Sequence, residues 1–336
     1  MRVRISLAVA AVAAALVIGI ATARAEALKL RIGWVALPSE LQSILFAHPG
    51  IARHLGQSYE LEAIHFSGTP AMITALAAGE LDIVPFAFSS LATAIEKAGM
   101  DDLRVISDGF QDGVPGYYTS EYMVLKDGPI RTVADLKGKV VASNAIGSAL
   151  DMGLRAMLRK HGLEDKKDYT LVEVNFANMK SVLLDRRVDL ISVVTPFSRD
   201  PSLREAARTL FTQKEAIGQT QMIIWAARET YIARHRAALV DFLEDYLRAV
   251  HWYTDPANHK EVTEILAKAM KLPAERFAGW VYTHDDRFRD PWGLPDLAAL
   301  QANMNTQREL GFLKTEIDVK KYADLSLIEE AGRRLK

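Results

Sequence analysis

Cysteine is absent from all 336 residues. That excludes disulfides, thiolate metal sites, cysteine nucleophiles and the lipidated cysteine of a lipoprotein. A charge excess is also missing, with 41 Lys and Arg against 42 Asp and Glu. Without clustered basic residues, neither nucleic acid nor an anionic membrane surface is expected as a partner. The signatures G-x-x-x-x-G-K-[ST], G-x-G-x-x-G and G-x-S-x-G do not occur, and the eight histidines are scattered with no H-E-x-x-H pair. No enzymatic activity, no cofactor and no metal are therefore expected.

Long apolar runs are confined to the start of the chain. Arg2 and Arg4 precede a run from Ile5 to Ile20 that only Ser6 interrupts, and Ala23-Arg24-Ala25 offers the small-x-small pattern that a signal peptidase cuts. The run falls short of the roughly 20 residues of a spanning helix. Residues 1–25 are read as a cleaved export signal, with the mature chain starting near Glu26. Losing Arg2, Arg4 and Arg24 takes the formal charge from −1 to −4. About 310 residues remain of a chain that is 49% hydrophobic over its full length, enough for a sizeable core divided between two domains. A secreted chain with neither a lipid anchor nor disulfides fits the periplasm of a double-membraned bacterium.

The hydrophobic pattern alternates between strand and helix periods, twice over. Leu28, Leu30, Ile32 and Trp34 read as a strand. A helix from Pro38-Ser39 follows, with Leu41, Ile44 and Leu45 at helical spacing and Ser39-x-x-Gln42 as a capping box. Tyr59 to Phe66 reads as a second strand, Thr69-Pro70 as N-cap and first position of a helix, Leu81 to Val84 as a third strand, and Ser89-Ser90 as another helix start. The later half repeats the order. Lys139 to Ser143 is a strand, Ser148-x-x-Asp151 caps a helix ending near His161-Gly162, Tyr169 to Phe176 is a strand, Met179 to Leu184 is helical, and Val188 to Ile191 is a strand. Asp82 and Asp189 occupy equivalent places, which points to a shared structural role. Such alternation specifies parallel sheets covered by helices. Glu121 to Lys126 and Met222 to Ala226 read as strands crossing between the halves, and Tyr231 to Tyr253 as a long amphipathic helix. The expected architecture is α/β with two lobes: residues 26–122 and 224–336 in one, 123–223 in the other.

In open α/β sheets, ligands collect where strands feed helix starts. Five such loops stand out: Val35 to Ser39, Ser67 to Thr69, Pro85 to Ser90, Asn144 to Ser148, and Thr195 to Phe197. Facing lobes would bring their helix N-termini into one cleft, an anion site made of backbone N–H groups and dipoles. The candidate ligand-binding residues are Trp34, Pro38, Ser39, Gln42, Ser67, Gly68, Thr69, Phe86, Phe88, Ser89, Tyr122, Asn144, Gly147, Ser148, Thr195, Pro196 and Phe197. Their hydroxyl and amide groups suit an anion, and their aromatic rings suit a flat or bulky organic body. Arg199 is a further candidate for a carboxylate or sulfonate, read first as a solvated surface arginine. His284-Asp285-Asp286 reads as a charged helix end or turn.

Leu30-Arg31-Ile32-Gly33-Trp34, Ala75-Leu76-Ala77-Ala78-Gly79-Glu80-Leu81-Asp82-Ile83 and Val133-Ala134-Asp135-Leu136-Lys137-Gly138-Lys139-Val140 resemble the substrate-binding proteins of ABC importers, in the nitrate, sulfonate and taurine (NMT1/THI5-like) branch. The resemblance implies a type II periplasmic binding fold with two crossing hinge strands, closing on a small molecule. The implied partners are an inner-membrane permease and its ATPase, and a monomer is expected. Thr195-Pro196-Phe197 stands where this branch often has Trp-Asp-Pro-Phe. The departure argues against a taurine-like ligand and, with the aromatic residues, for a sulfonate or aromatic carboxylate. A periplasmic ligand sensor of the same fold is the alternative, as is a relative of the pyrimidine- or menaquinone-pathway enzymes.

Overall fold

The computed structural model describes residues 26–37, 40 and 42–336; the expected export signal, Pro38, Ser39 and Leu41 lie outside the described residues, as does the side chain of Gln42. The strands are β1 (Leu28–Trp34), β2 (Tyr59–His65), β3 (Val84–Ala87), β4 (Leu103–Asp112), β5 (Glu121–Leu125), β6 (Lys139–Ser143), β7 (Tyr169–Glu173), β8 (Leu190–Val193), β9 (Ala207–Thr212) and β10 (Thr220–Arg228). β1 pairs parallel with β2, and a parallel bridge from Ile32 to Ile83 leads on to β3. β10 lies between β3 and β4, antiparallel to both. The second sheet runs β7-β6-β8-β5-β9, with β6 parallel to β7 and β8 and β5 antiparallel to β8 and β9. Set side by side, β2-β1-β3-β10-β4 and β7-β6-β8-β5-β9 carry the same order of parallel and antiparallel neighbours. The repeat expected from the sequence is thus a repeat of strand topology.

Asp82 and Asp189 show what makes the halves alike. Asp82 accepts the backbone N–H of Arg31 at 2.9 Å and returns its own N–H to the Arg31 carbonyl at 2.9 Å. Asp189 does the same with Val140, at 2.9 and 2.7 Å. Each carboxylate ties the turn before the third strand of its half to the first strand, so its role is structural.

The helices are α1 (Thr69–Ala77), α2 (Phe88–Glu96), α3 (Ala149–Lys160), α4 (Phe176–Leu184), α5 (Pro201–Ala206), α6 (Gln213–Ile217), α7 (Glu229–Thr254), α8 (His259–Met270), α9 (Glu275–Ala278), α10 (Leu297–Glu309) and α11 (Ser326–Arg334). Several starts differ from the sequence reading. Gly68, extended at φ −173°, is the N-cap of α1. Thr69 lies inside the helix, and its hydroxyl pairs with Ser90 Oγ at 2.8 Å. α2 begins at Phe88 after Ala87, placing Ser89 and Ser90 within its first turn. The described part of the expected helix at Pro38 to Leu45 is a 3-10 turn, Gln42–Ala47. β7 ends at Glu173, and Asn175 caps a helix that Phe176 opens. The Ser148 cap holds, since its Oγ accepts from Asp151 N at 3.2 Å. α7 includes the expected amphipathic helix and is kinked at His235, whose φ/ψ is non-helical.

Apolar side chains cover both faces of each sheet. One cluster joins Met72, Phe110 and Ile223 to Leu150, Met152 and Val194, so the two sheets' helices meet across a shared apolar surface. The chain passes between the sheets at residues 113–120 and 213–219. Asp112, fully buried, accepts from Thr119 Oγ1 (2.6 Å), Ser120 N (2.9 Å) and Ser120 Oγ (2.6 Å). The Ser120 carbonyl then accepts Gln213 N at 2.8 Å, which ties the two crossings together. Among the described residues no helix is long and apolar enough to cross a membrane.

Candidate functional site

The two sheets meet around an open cavity, in which the space between the lining atoms, mouth included, is about 460 Å3. Four helices begin at its wall: α1 through Thr69, α2 through Ala87, α3 through Ser148, Ala149 and Leu150, and α4 through Phe176. Each is at least nine residues long and leaves its first N–H groups without intrahelical partners, at the positive end of its dipole. Between them the surface is apolar, contributed by Val35, Phe110, Val194, Met222 and Ile223.

Two charged side chains complete the wall. Arg287, 4% exposed, lays its guanidinium 4.5 Å from the centre of the Phe110 ring and 5.7 Å from that of Tyr118, an arrangement that holds a cation over π faces. Glu40, 8% exposed, accepts Val35 N at 2.6 Å. Burial pushes its carboxyl up to about 7, against the opposing pull of the Val35 N–H and the nearby Arg287. The site thus combines backbone donors, one permanent cation and one carboxyl that changes charge near neutrality, and a small anion with an apolar body fits that combination.

Of the expected site residues, Thr69, Asn144 and Ser148 line this cavity. Asn144 Nδ2 donates to the Ser67 carbonyl at 3.3 Å, and Ser148 Oγ donates to Asn144 Oδ1 at 3.0 Å. A Cβ on Gly68 would lie 2.9 Å from Ala145 Cβ, so Ser67 and Gly68 sit where the halves touch. Gly147 takes positive φ, +80°, and donates its N–H to Asp151 at 2.8 Å. Trp34 packs on His65, ring centres 4.4 Å apart. Phe86, Phe88 and Tyr122 are fully buried in the cores. They do not line the cavity; Tyr122 stacks on Phe211 at 4.4 Å and donates to the Leu150 carbonyl. Ser89 and Thr195 are buried, their hydroxyls without a partner among the described residues. Pro196 and Phe197 line a second, adjacent cavity. Pro38, Ser39 and the side chain of Gln42 remain outside the described residues.

Four of the five expected loop regions reach the cavity, through Val35, Thr69, Ala87 and the Asn144–Ser148 pair. Sequence reasoning missed Glu40, Phe110, Ser120, Phe176, Met222, Ile223 and Arg287. Arg287 belongs to a loop whose Asp286 is fully buried, accepts Tyr282 N at 3.0 Å and lies 3.4 Å from Arg289. Asp286-Arg287-Phe288-Arg289 carries no motif that marks Arg287, and its burial at 4% exposure emerges only from the fold. Outside the cavity, His54, Asp241 and Glu244 bring possible metal-ligand atoms within 4.8 Å of one another. Arg334 lies 2.8 Å from Asp241 and 3.7 Å from Glu244, so this cluster is an ion-pair network fastening α11 and the His54 loop to α7.

The model of the NMT1-like family matches residues 23–267, well over half of the chain. The chain belongs to the NMT1-like family. No curated protein sequence matches it. Among solved structures it is similar to the alkanesulfonate-binding protein SsuA of Xanthomonas axonopodis pv. citri bound to MOPS, at 20% identity and a TM-score of 0.69, covering 89% of this chain and 99% of that one. It is similar to the periplasmic nitrate-binding protein NrtA of Synechocystis PCC 6803, at 18% and 0.72, covering 93% and 90%. The desulfurization enzyme DSZB is similar at 13% and 0.65, covering 92% and 100%. At these identities the likeness shows the fold, that of the type II periplasmic binding proteins.

Proposed function

We propose that this NMT1-like protein is the periplasmic substrate-binding component of an ABC importer. It closes on a small organic anion of the sulfonate or aromatic carboxylate class and delivers it to an inner-membrane permease with its ATPase. One jaw is built on the sheet that holds β4 and β10 and the other on the sheet that holds β5 and β9, with the crossings at residues 113–120 and 213–219 a few residues before the expected boundaries at 122/123 and 223/224. The chain acts as a monomer after export and cleavage near Ala25. The observation that carries this reading is the convergence of four helix N-termini and Arg287 on one interlobe cavity. Each terminus contributes roughly 0.3 to 2 kcal/mol to a bound anion, and a charge-assisted hydrogen bond from Arg287 about 1.5 to 3 kcal/mol. Together these give roughly 3 to 11 kcal/mol, a range that brackets the ~8 kcal/mol of micromolar binding without covalent chemistry. Sulfonate and nitrate binding by proteins of the same fold supports an anionic ligand, and a ligand-binding component of an ABC-type import system with that fold supports the importer role.

The test is a thermal-shift screen of the purified protein against alkanesulfonates, aromatic carboxylates, nitrate and pyrimidines, since a ligand that binds only the folded state raises Tm. Hits are followed by calorimetry on Thr69→Ala, Asn144→Ala and Ser148→Ala and by product analysis of the bound compound. An organic anion that binds, stays chemically unchanged and loses affinity in these variants is the expected result. Unchanged affinity in all three would remove the site from this cavity, and turnover would make the protein an enzyme.

A further inference from the structure

The cavity at the helix starts is not isolated. Phe176 is part of its wall and also of a neighbouring cavity of about 730 Å3, mouth included. Phe176, the side chain common to both walls, stacks on Phe197 of the second cavity, with ring centres 5.9 Å apart and planes 19° apart. Like the first cavity, the second has walls from distant parts of the chain: Ala177 and Met179 from α4 on one side, Leu272 and Phe277 beside α8 and α9 on the other. Its rim is basic. Lys180 and Arg276 share the single carboxylate of Asp200, at 3.1 and 3.3 Å, while Arg199 reaches the Asp285 carbonyl. Among the described residues Phe176 alone lines both chambers, while Phe197 lines the second, so a change of the Phe176 rotamer is the movement that would join them.

Building on the function proposed above, we propose that the second chamber is a subsite for the ligand's body. The acid head rests among Thr69, Asn144, Ser148 and Arg287, and an aryl or medium-chain alkyl tail passes the Phe176–Phe197 pair to lie between α4 and the α8–α9 segment. The preferred ligand is therefore an elongated amphiphilic acid. Nitrate and short sulfonates fill the head site alone. An occupant of both chambers touches both halves of the molecule twice, which strengthens its preference for the closed form.

Calorimetry with straight-chain alkanesulfonates from ethane- to decanesulfonate, together with 2-naphthalenesulfonate, tests the assignment. In the unsubstituted protein, affinity is expected to rise with chain length, up to roughly fourfold per added methylene at about 0.8 kcal/mol each. Ala177 is exposed and lines only the second chamber, so Ala177→Trp fills that space without touching a core. This variant is expected to weaken octane- and decanesulfonate at least tenfold and leave ethanesulfonate unchanged. Phe197→Ala is expected to flatten the dependence on length, and Arg287→Met to weaken every member alike. Affinity independent of chain length, or an Ala177→Trp loss equal for short and long ligands, would overturn the subsite while leaving the head site standing. Failure of every member to bind would overturn the head site, and the subsite with it.

Discussion

Arg287→Met removes the cation from the cavity and keeps most of the side chain's volume. The apolar stem can still lie against Phe110, whose ring the guanidinium faces at 4.5 Å, so the fold gains no large void; it loses the cation–π contacts with Phe110 and Tyr118, about 0.5 to 2 kcal/mol each, and the positive charge that offsets buried Glu40. For an anion held by the guanidinium, the loss is a charge-assisted hydrogen bond of about 1.5 to 3 kcal/mol. At 1.4 kcal/mol per decade that is a weakening of roughly 10- to 150-fold. Arg287→Lys keeps the charge but not the planar fork, so its loss is expected to fall between those of the unsubstituted protein and Arg287→Met. Isothermal titration with any acid found by screening gives both numbers, and far-ultraviolet circular dichroism checks the fold. A Kd for Arg287→Met within twofold of the unsubstituted value, in a folded protein, would refute the argument that this arginine is the site's fixed counter-charge.

Burial raises Glu40 to about 7, so in the folded chain it holds its proton above the range where an unfolded glutamate has lost it. Its stabilising contribution is complete below pH ~4.5 and is lost as pH climbs to ~7. An anion in the same cavity favours the protonated form, so affinity is expected to fall by up to tenfold per pH unit above 7, and Glu40→Gln to abolish that slope in titrations from pH 6 to 9. A Cβ at Gly153 would stand 2.0 Å from Gln213 Oε1 and 2.5 Å from Tyr122 Oη. Gly153→Ala must push α3 off α6, an overpacking expected to cost about 1 to 3 kcal/mol in urea unfolding. Gly68→Ala strains no backbone, because φ is extended, but it crowds Ala145 and Asn144 across the closure surface. Small-angle scattering is expected to show a molecule that stays open with saturating ligand while its Tm stays near that of the unsubstituted protein.

The repeat of strand and helix was legible because parallel strands buried on both faces and their turns leave a local pattern; the matched contacts of Asp82 and Asp189 depend on that pattern. The strand ends that feed helix starts were legible for the same reason, although the expected loop Pro85 to Ser90 is the end of β3 running directly into α2 at Phe88. Side-chain roles within them were less so. Phe86, Phe88 and Tyr122 sit beside the loops in sequence, but large apolar groups gain most from full burial, and all three are fully buried in the cores. Thr69 has the chemistry of an N-cap, yet Gly68 takes the extended position and the Thr69 hydroxyl finds Ser90 instead. Arg287 is placed beside Phe110 by long-range packing, which no spacing in its own loop encodes.

The proposed anion cradle consists largely of helix starts, and a main-chain amide persists whatever residue carries it. Substitution can reshape the flanking walls, Phe176 and Met222 among them, far more readily than it can erase the positive ends of four helices. Descendants of this chain can therefore exchange one acid for another in few steps, whereas acquiring a taste for cations would demand a different scaffold.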